Sequence, residues 1–244
     1  MEKQSNSESI VQDWYNETYA ALGDQAQRRY PNEELVRFMA RHFFHVPVHS
    51  RRDISVLEVG CGTGANLRMI AQEEFDTYGL DLSEQAVTIA QLFVDKWGGV
   101  VKAGSMTKIP FGDQEFSAVV DVFSSNCLPV LEFEKCLDEI YRVLKPGGLF
   151  FSYSPGKRSD AFLNHAPAVL LDESTLDGIK RATSPFAGNN YPFRFIHPDE
   201  AAGLLDKHGF EVQYLETIER TYNGRSERFQ FVVIEGRKVS GNAE

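Results

Sequence analysis

The spacing of hydrophobic residues changes character along the chain. Between residues 10 and 45 they recur at helical spacing in two pieces separated by Gly23. Val11, Trp14, Tyr15 and Tyr19 share one face of IVQDWYNETYAAL, and Leu35, Phe38, Met39 and His42 share a face of a second helix that follows Pro31, a residue suited to a first helical turn. Residues 1–9 are polar and read as a frayed start, and HVPVHSRRD reads as a linker. From residue 53 short β-branched runs alternate with helical segments. ISVLEVG, TYGLDL, VVKAG, FSAVVDVF and LFFSYS are the strands. Helices are predicted over 64–73, from the Ser83 cap to about Trp97, where Gly98 and Gly99 stop it, and over 132–144. Residues 155–196 break this rhythm with scattered Pro, Gly and aromatics and one short helix near 172–182, the pattern of a lid. A helix over 198–208 and two strands near 210–219 and 227–238, joined through Asn223-Gly224, close the chain as an antiparallel hairpin.

This order predicts an α/β fold: seven strands in a mostly parallel sheet, helices on both faces and a C-terminal antiparallel hairpin. Residues 1–50 form an N-terminal helical cap, and 51–244 form the main domain, with a lid insertion at about 155–196. Ligands of such sheets sit beyond the carboxyl ends of the strands.

Composition narrows the partners. With 42% hydrophobic and 25% charged residues, the 244-residue chain can bury a sizeable core. Its net charge of -10 and pI of about 5.2 argue against a nucleic-acid partner, since basic pairs such as Arg28/Arg29 and Lys180/Arg181 lie within an acidic chain. Three cysteines with no close pair give neither a disulfide framework nor a zinc site, which suits a reducing cytoplasm. His42, His45 and His49 are interrupted by Pro47, and no carboxylate or cysteine completes a metal site, so no metal is expected. The polar N-terminus lacks a signal-peptide core, and no apolar run is long enough to span a bilayer, so no membrane association is expected.

The candidate chemistry begins at Glu58-Val59-Gly60-Cys61-Gly62-Thr63-Gly64, between the first strand and its helix. Three glycines in five residues let a ligand approach the main chain closely. Gly60, Gly62 and Ala65 also satisfy the looser dinucleotide pattern, and Asp81 ends the second strand 21 residues after Gly60, placed to accept hydrogen bonds from a ribose diol. These residues indicate an adenosine-containing cofactor and leave NAD and S-adenosylmethionine both open.

VLEVGCGTG, GLDLS and LKPGGLFF, in that order and spacing, resemble the class I S-adenosylmethionine-dependent methyltransferases, of the type that acts on small molecules. The likeness covers residues 54–155, and the final helix and hairpin fit the family's last helix and two strands. It implies a Rossmann-like sheet and S-adenosyl-L-methionine as cofactor. The backbone of Gly60, Cys61, Gly62 and Gly64 would line the methionine part, and Glu58 would set that loop or meet the ammonium group. Asp81 would hold the ribose hydroxyls, with Leu82 and Met106 against the adenine. Ser105 stands where the family often carries an acid facing the adenine amino group, and Ser117 where Asp is common. DVFSSN lacks the (N/D)PPY signature of amino-methylating DNA enzymes, while its Asp121 lies beside the transferring methyl in the resemblance.

Methyl transfer from a sulfonium is an in-line displacement in which the enzyme mainly aligns reactants. An oxygen acceptor that is a weak acid also needs a base, for which Asp121 and the lid histidines His165 and His197 are the candidates. Tyr15, Tyr19, Arg29 and Tyr30 from the cap and Tyr191 from the lid are the candidate substrate-side contacts. The expected function is methylation of a small molecule, a sugar or another biosynthetic intermediate, by a monomer or homodimer. An NAD-dependent oxidoreductase and a non-catalytic cofactor-binding module are the alternatives, with protein or RNA methylation behind them.

Overall fold

The computed structural model describes residues 4–26 and 28–239. Helix α1 (Gln4–Leu22) passes through a 3-10 turn toward α2 (Glu33–His42). Asn32 caps α2 by accepting from the Glu34 and Leu35 amides, so Pro31 lies just outside the helix. The segment read as a linker is a 3-10 helix over Val48–Asp53. It is anchored by buried Arg51, which donates to the carbonyls of Phe44 and Val46 and pairs with Glu73.

The alternating part follows as β1 (Ser55–Val59), α3 (Ala65–Gln72), β2 (Asp76–Asp81), α4 (Glu84–Val94), β3 (Val100–Ala103), β4 (Phe116–Val122), α5 (Val130–Val143) and β5 (Leu144–Gly156). The insertion holds α6 (Asp160–Leu163), β6 (Thr175–Leu176) and β7 (Phe193–Arg194). Then come α7 (Pro198–Lys207), β8 (Phe210–Tyr222) and β9 (Glu227–Lys238). The main sheet has seven strands in the order β3-β2-β1-β4-β5-β9-β8. All neighbours are parallel except β9, which runs antiparallel to β5 and β8. The order reverses between β1 and β4, and this switch point places the loops after β1, β2, β3 and β4 around one crevice.

Buried side chains cover both faces of the sheet. On one face α2 inserts Leu35, Phe38 and Met39, with Phe38 at 5.0 Å from the Phe151 ring. On the other, Phe133, Leu137 and Ile140 of α5 pack with Leu205 of α7. The helix expected near 172–182 is absent. Asp172 instead accepts from the Ser174 amide and the Thr175 hydroxyl, local bonds that compete with helix, and β6 pairs with β7. Asp172 also accepts from the Val130 amide and so caps α5 from a distance. The insertion is bound to the body: Phe193 and Phe195 are fully buried, and Arg194 donates to the Leu128 and Ser125 carbonyls. Among the described residues no helix is long and apolar enough to cross a membrane.

Candidate active site

A cavity of about 300 Å³ opens at the carboxyl ends of the parallel strands, roofed by α1 and the insertion. Its floor is the glycine loop. Gly60, Gly62 and Gly64 all have positive φ. At Gly60 the bare backbone is a steric necessity, because a Cβ there would lie 2.3 Å from Ser124 Cβ at the end of β4. Asp81 holds the loop from the side: Oδ2 accepts from the Gly62 amide at 2.8 Å and Oδ1 from the Ser83 amide at 2.9 Å. Burial raises the Asp81 carboxyl, and those amides pull it back down. Each oxygen keeps acceptor capacity toward the cavity.

Glu58 is 2% exposed and lines the same cavity. Its Oε1 accepts a 2.6 Å bond from Asn66, while Oε2 is buried without a partner. Burial pushes the carboxyl up to about 8, against the Asn66 bond and the Arg28 charge. An orphaned buried carboxylate oxygen is costly unless a donor meets it, best of all a cation.

Of the residues singled out in the sequence, the cavity brings together Glu58, Gly60, Cys61, Asp81, Leu82, Ser105 and Met106, with Tyr15, Tyr19 and Tyr191. Gly62 sits behind Asp81 as its donor. Gly64, Arg29 and Tyr30 line a separate surface recess, and Tyr30 is 78% exposed. The three candidate bases lie outside the cavity lining. Asp121 is wholly buried and accepts from the Ser124 and Ser125 amides and from the Ser125 and Ser152 hydroxyls, which turns it into a lock for the loop after β4. His165 bonds the Phe162 carbonyl within the insertion. His197 is the N-cap of α7, in a reciprocal capping box with Glu200.

The cavity also contains residues the sequence did not single out for it: Glu8, Thr18, Phe123, Cys127, Phe186 and Asn189. Phe123 has φ of 60°, rare for a bulky side chain and a sign of a constrained loop, and stacks on Phe186 at 4.7 Å.

A family model for a methyltransferase domain matches residues 56–148, the stretch that carries the glycine loop, Asp81 and the strands around the switch point. By that match residues 56–148 are similar to a methyltransferase domain, as the resemblance of the glycine loop implies. The chain is 32% identical over 203 residues to a sterol 24-C-methyltransferase of Gibberella zeae, an alignment that covers 79% of this chain and 49% of that protein. It is 36% identical over 129 residues to a fatty-acid O-methyltransferase of Mycolicibacterium smegmatis, covering 50% of this chain and 46% of that one. The chain thus spans about half the length of the curated relatives it matches. Its fold is shared with 1,6-didemethyltoxoflavin-N1-methyltransferase of Burkholderia thailandensis, which holds S-adenosylhomocysteine. The TM-score is 0.71 at 15% identity, with 98% of this chain and 92% of that one covered.

The site fits S-adenosylmethionine on its own geometry. The orphaned Glu58 oxygen matches an ammonium group, the Asp81 carboxylate a diol, and the apolar strip of Leu82 and Met106 a flat base. The opposite wall is aromatic and uncharged. Trp14 meets Tyr191 edge-on at 5.1 Å, and the Tyr15 and Tyr191 hydroxyls are 3.1 Å apart. Burial raises both phenols, and it pushes the Cys127 thiol up to about 12, so this wall carries neutral groups at physiological pH. Among the described residues no histidine lines the cavity, and its charged side chains are the carboxylates Glu8, Glu58 and Asp81 and the guanidinium of Arg28.

Proposed function

We propose that this chain transfers the S-adenosylmethionine methyl group to a small, largely apolar acceptor that rests on the wall formed by Trp14, Tyr15, Phe123, Phe186 and Tyr191. One observation carries this reading: a single cavity is lined both by Glu58, Asp81 and Arg28 and by the neutral rings of Trp14, Tyr15, Phe123, Phe186 and Tyr191. When bound, the sulfonium supplies an activated methyl. The protein's part is then to align the reactants and exclude water, and alignment alone contributes on the order of 7–11 kcal/mol. Glu58 takes the ammonium group and Asp81 the ribose diol. The aromatic faces would stabilise the sulfonium's positive charge and bury the acceptor's apolar surface.

The acceptors named for its relatives, sterols and fatty acids, belong to this apolar class and suit the wall better than a sugar does. An acidic chain whose described helices do not span a membrane accords with a cytoplasmic enzyme, working as a monomer or homodimer without a nucleic-acid partner. The experiment is a binding and turnover series. Calorimetry compares S-adenosylmethionine, S-adenosylhomocysteine and NAD, and S-adenosylhomocysteine release is then followed with a sterol, a long-chain fatty acid, a flat N-heterocycle and a sugar. Binding of the first two ligands, with turnover on an apolar acceptor, supports the reading. Binding of NAD alone, or turnover confined to the sugar, overturns it.

A further inference from the structure

Helix α1 carries Glu8, Gln12 and Asn16 at successive spacings of four, on one face. All three grip the loops beyond β2 and β3. Glu8 Oε1 accepts from the hydroxyls of Ser105 at 2.5 Å and Thr107 at 3.2 Å. Gln12 donates to the Leu82 carbonyl at 3.0 Å, and the Ser83 hydroxyl donates to Asn16 at 2.6 Å. The neighbouring face, also in steps of four, is Val11, Tyr15 and Tyr19, and it lines the cavity. The helix is thus a strap whose one edge is bolted to the strand ends and whose inner face closes the chamber.

Glu8 belongs to both edges. It lines the cavity beside Leu82, Gly104 and Met106, at the far end of the apolar strip from Glu58 and the glycine loop. Both of its bonds fall on Oε1, and among the described residues none falls on Oε2. A carboxylate accepts but does not donate. Fixed by two hydroxyls in a cavity that Leu82 and Met106 also line, such a carboxylate favours a ring with an N–H donor on its edge over one with a carbonyl there.

We infer that Glu8 is the acceptor for the exocyclic amino group of the cofactor's adenine, so that the base is read by a residue of the N-terminal strap. This inference rests on the methyltransferase reading. A hydrogen bond to a charged group commonly changes an equilibrium by roughly 10–100-fold, the range expected for the amino-against-carbonyl preference.

The test titrates wild type, Glu8→Gln and Gln12→Ala with S-adenosylhomocysteine and with S-inosylhomocysteine, its 6-oxo counterpart. Wild type should prefer the amino ligand by at least about tenfold. In Glu8→Gln that preference should shrink about tenfold, because a carboxamide can turn its NH2 toward the carbonyl. Gln12→Ala loosens the strap without touching the carboxylate, so it should weaken both ligands alike and keep their ratio. An unchanged ratio in Glu8→Gln, or an equal loss for both ligands, reduces Glu8 to a helix anchor and overturns the inference. A wild type that binds both ligands equally removes Glu8 from base recognition while the methyltransferase reading stands. A wild type that binds neither overturns both.

Discussion

Asn66 donates a 2.6 Å hydrogen bond to Glu58 and accepts one of 2.9 Å from the Asn32 amide, so a single carboxamide joins the buried carboxylate beneath the glycine loop to the first turn of α2. Replacing it by Ala leaves the Asn32 amide without a partner and strips Glu58 of its Asn66 donor. We expect Asn66→Ala to cost about 2–3 kcal/mol and to lower Tm by roughly 5–10 °C. Asn66→Asp should be worse, because it sets a second carboxylate against the first. Thermal melts with and without S-adenosylhomocysteine measure both. A melting temperature equal to wild type for Asn66→Ala would show that the bridge contributes nothing.

Glu58 makes ligand binding sensitive to pH with a definite sign. Its folded carboxyl is raised to about 8 by burial, from 4.5. Between these values the folded chain binds more protons than the unfolded one, so the stability contribution is fully present below the lower value and falls as pH rises toward the upper. A cationic amino group placed at Oε2 favours the ionised form and should expel that proton. Calorimetry in buffers of different ionisation enthalpy should therefore show release of about one proton on cofactor binding near pH 6, fading above about pH 8. In Glu58→Gln the release should vanish and the unliganded protein should lose this pH dependence of stability. Binding with no proton release at any pH would place the ammonium group elsewhere.

The close approach at Gly60 predicts a paired effect. A Cβ at this position would lie 2.3 Å from Ser124 Cβ, and the backbone has φ of +66°. Ser124 cannot yield freely, since its amide and hydroxyl are both bonded to Asp121. Gly60→Ala should therefore displace the glycine loop and weaken cofactor binding at least about tenfold, with folding partly retained. The double variant Gly60→Ala with Ser124→Gly should recover part of that affinity. Gly98→Ala isolates the backbone cost: φ is +76° and nothing lies within 4 Å, so it should cost about 1–2 kcal/mol of stability and leave binding alone. Failure of the Ser124 replacement to restore anything would point to backbone strain rather than the steric clash.

The parts of this site that were legible in the sequence are those built from neighbours. Gly60, Gly62 and Asp81 are joined by a strand, a turn and the next strand, and their chemistry follows from local spacing and the switch point. The hairpin of β8 and β9 was legible for the same reason, through Asn223-Gly224. The roof was not. Glu8 meets Ser105 across 97 positions of sequence, from a segment whose polarity reads as a loose end. Its periodicity with Gln12 and Asn16 was visible, but nothing local says that a polar face closes on the strand ends. Asp121 misled in the opposite way: a carboxylate at the end of β4 resembles a base, and only its serine partners reveal that it is consumed in holding the turn. His197 before Pro198 likewise resembles a loop ligand until the helix it caps is seen.

That placement bears on catalysis. His197 works as an N-cap and His165 bonds a carbonyl of its own loop, and neither lines the cavity beside Tyr15 and Tyr191. His197→Ala should lower stability by about 1 kcal/mol through the lost cap while kcat stays within about twofold of wild type. His165→Ala should leave both near wild type. The wall itself offers only neutral phenols and a thiol raised to about 12, none of which titrates near neutrality. With saturating cofactor and an acceptor that does not itself ionise, kcat should therefore stay flat between about pH 6 and 8, because no cavity base changes state in that window once Glu58 is paired. A rate that rises through one ionisation near pH 6.5–7 and loses that rise in either histidine variant would restore a histidine to the reaction and require the insertion to move it into the chamber.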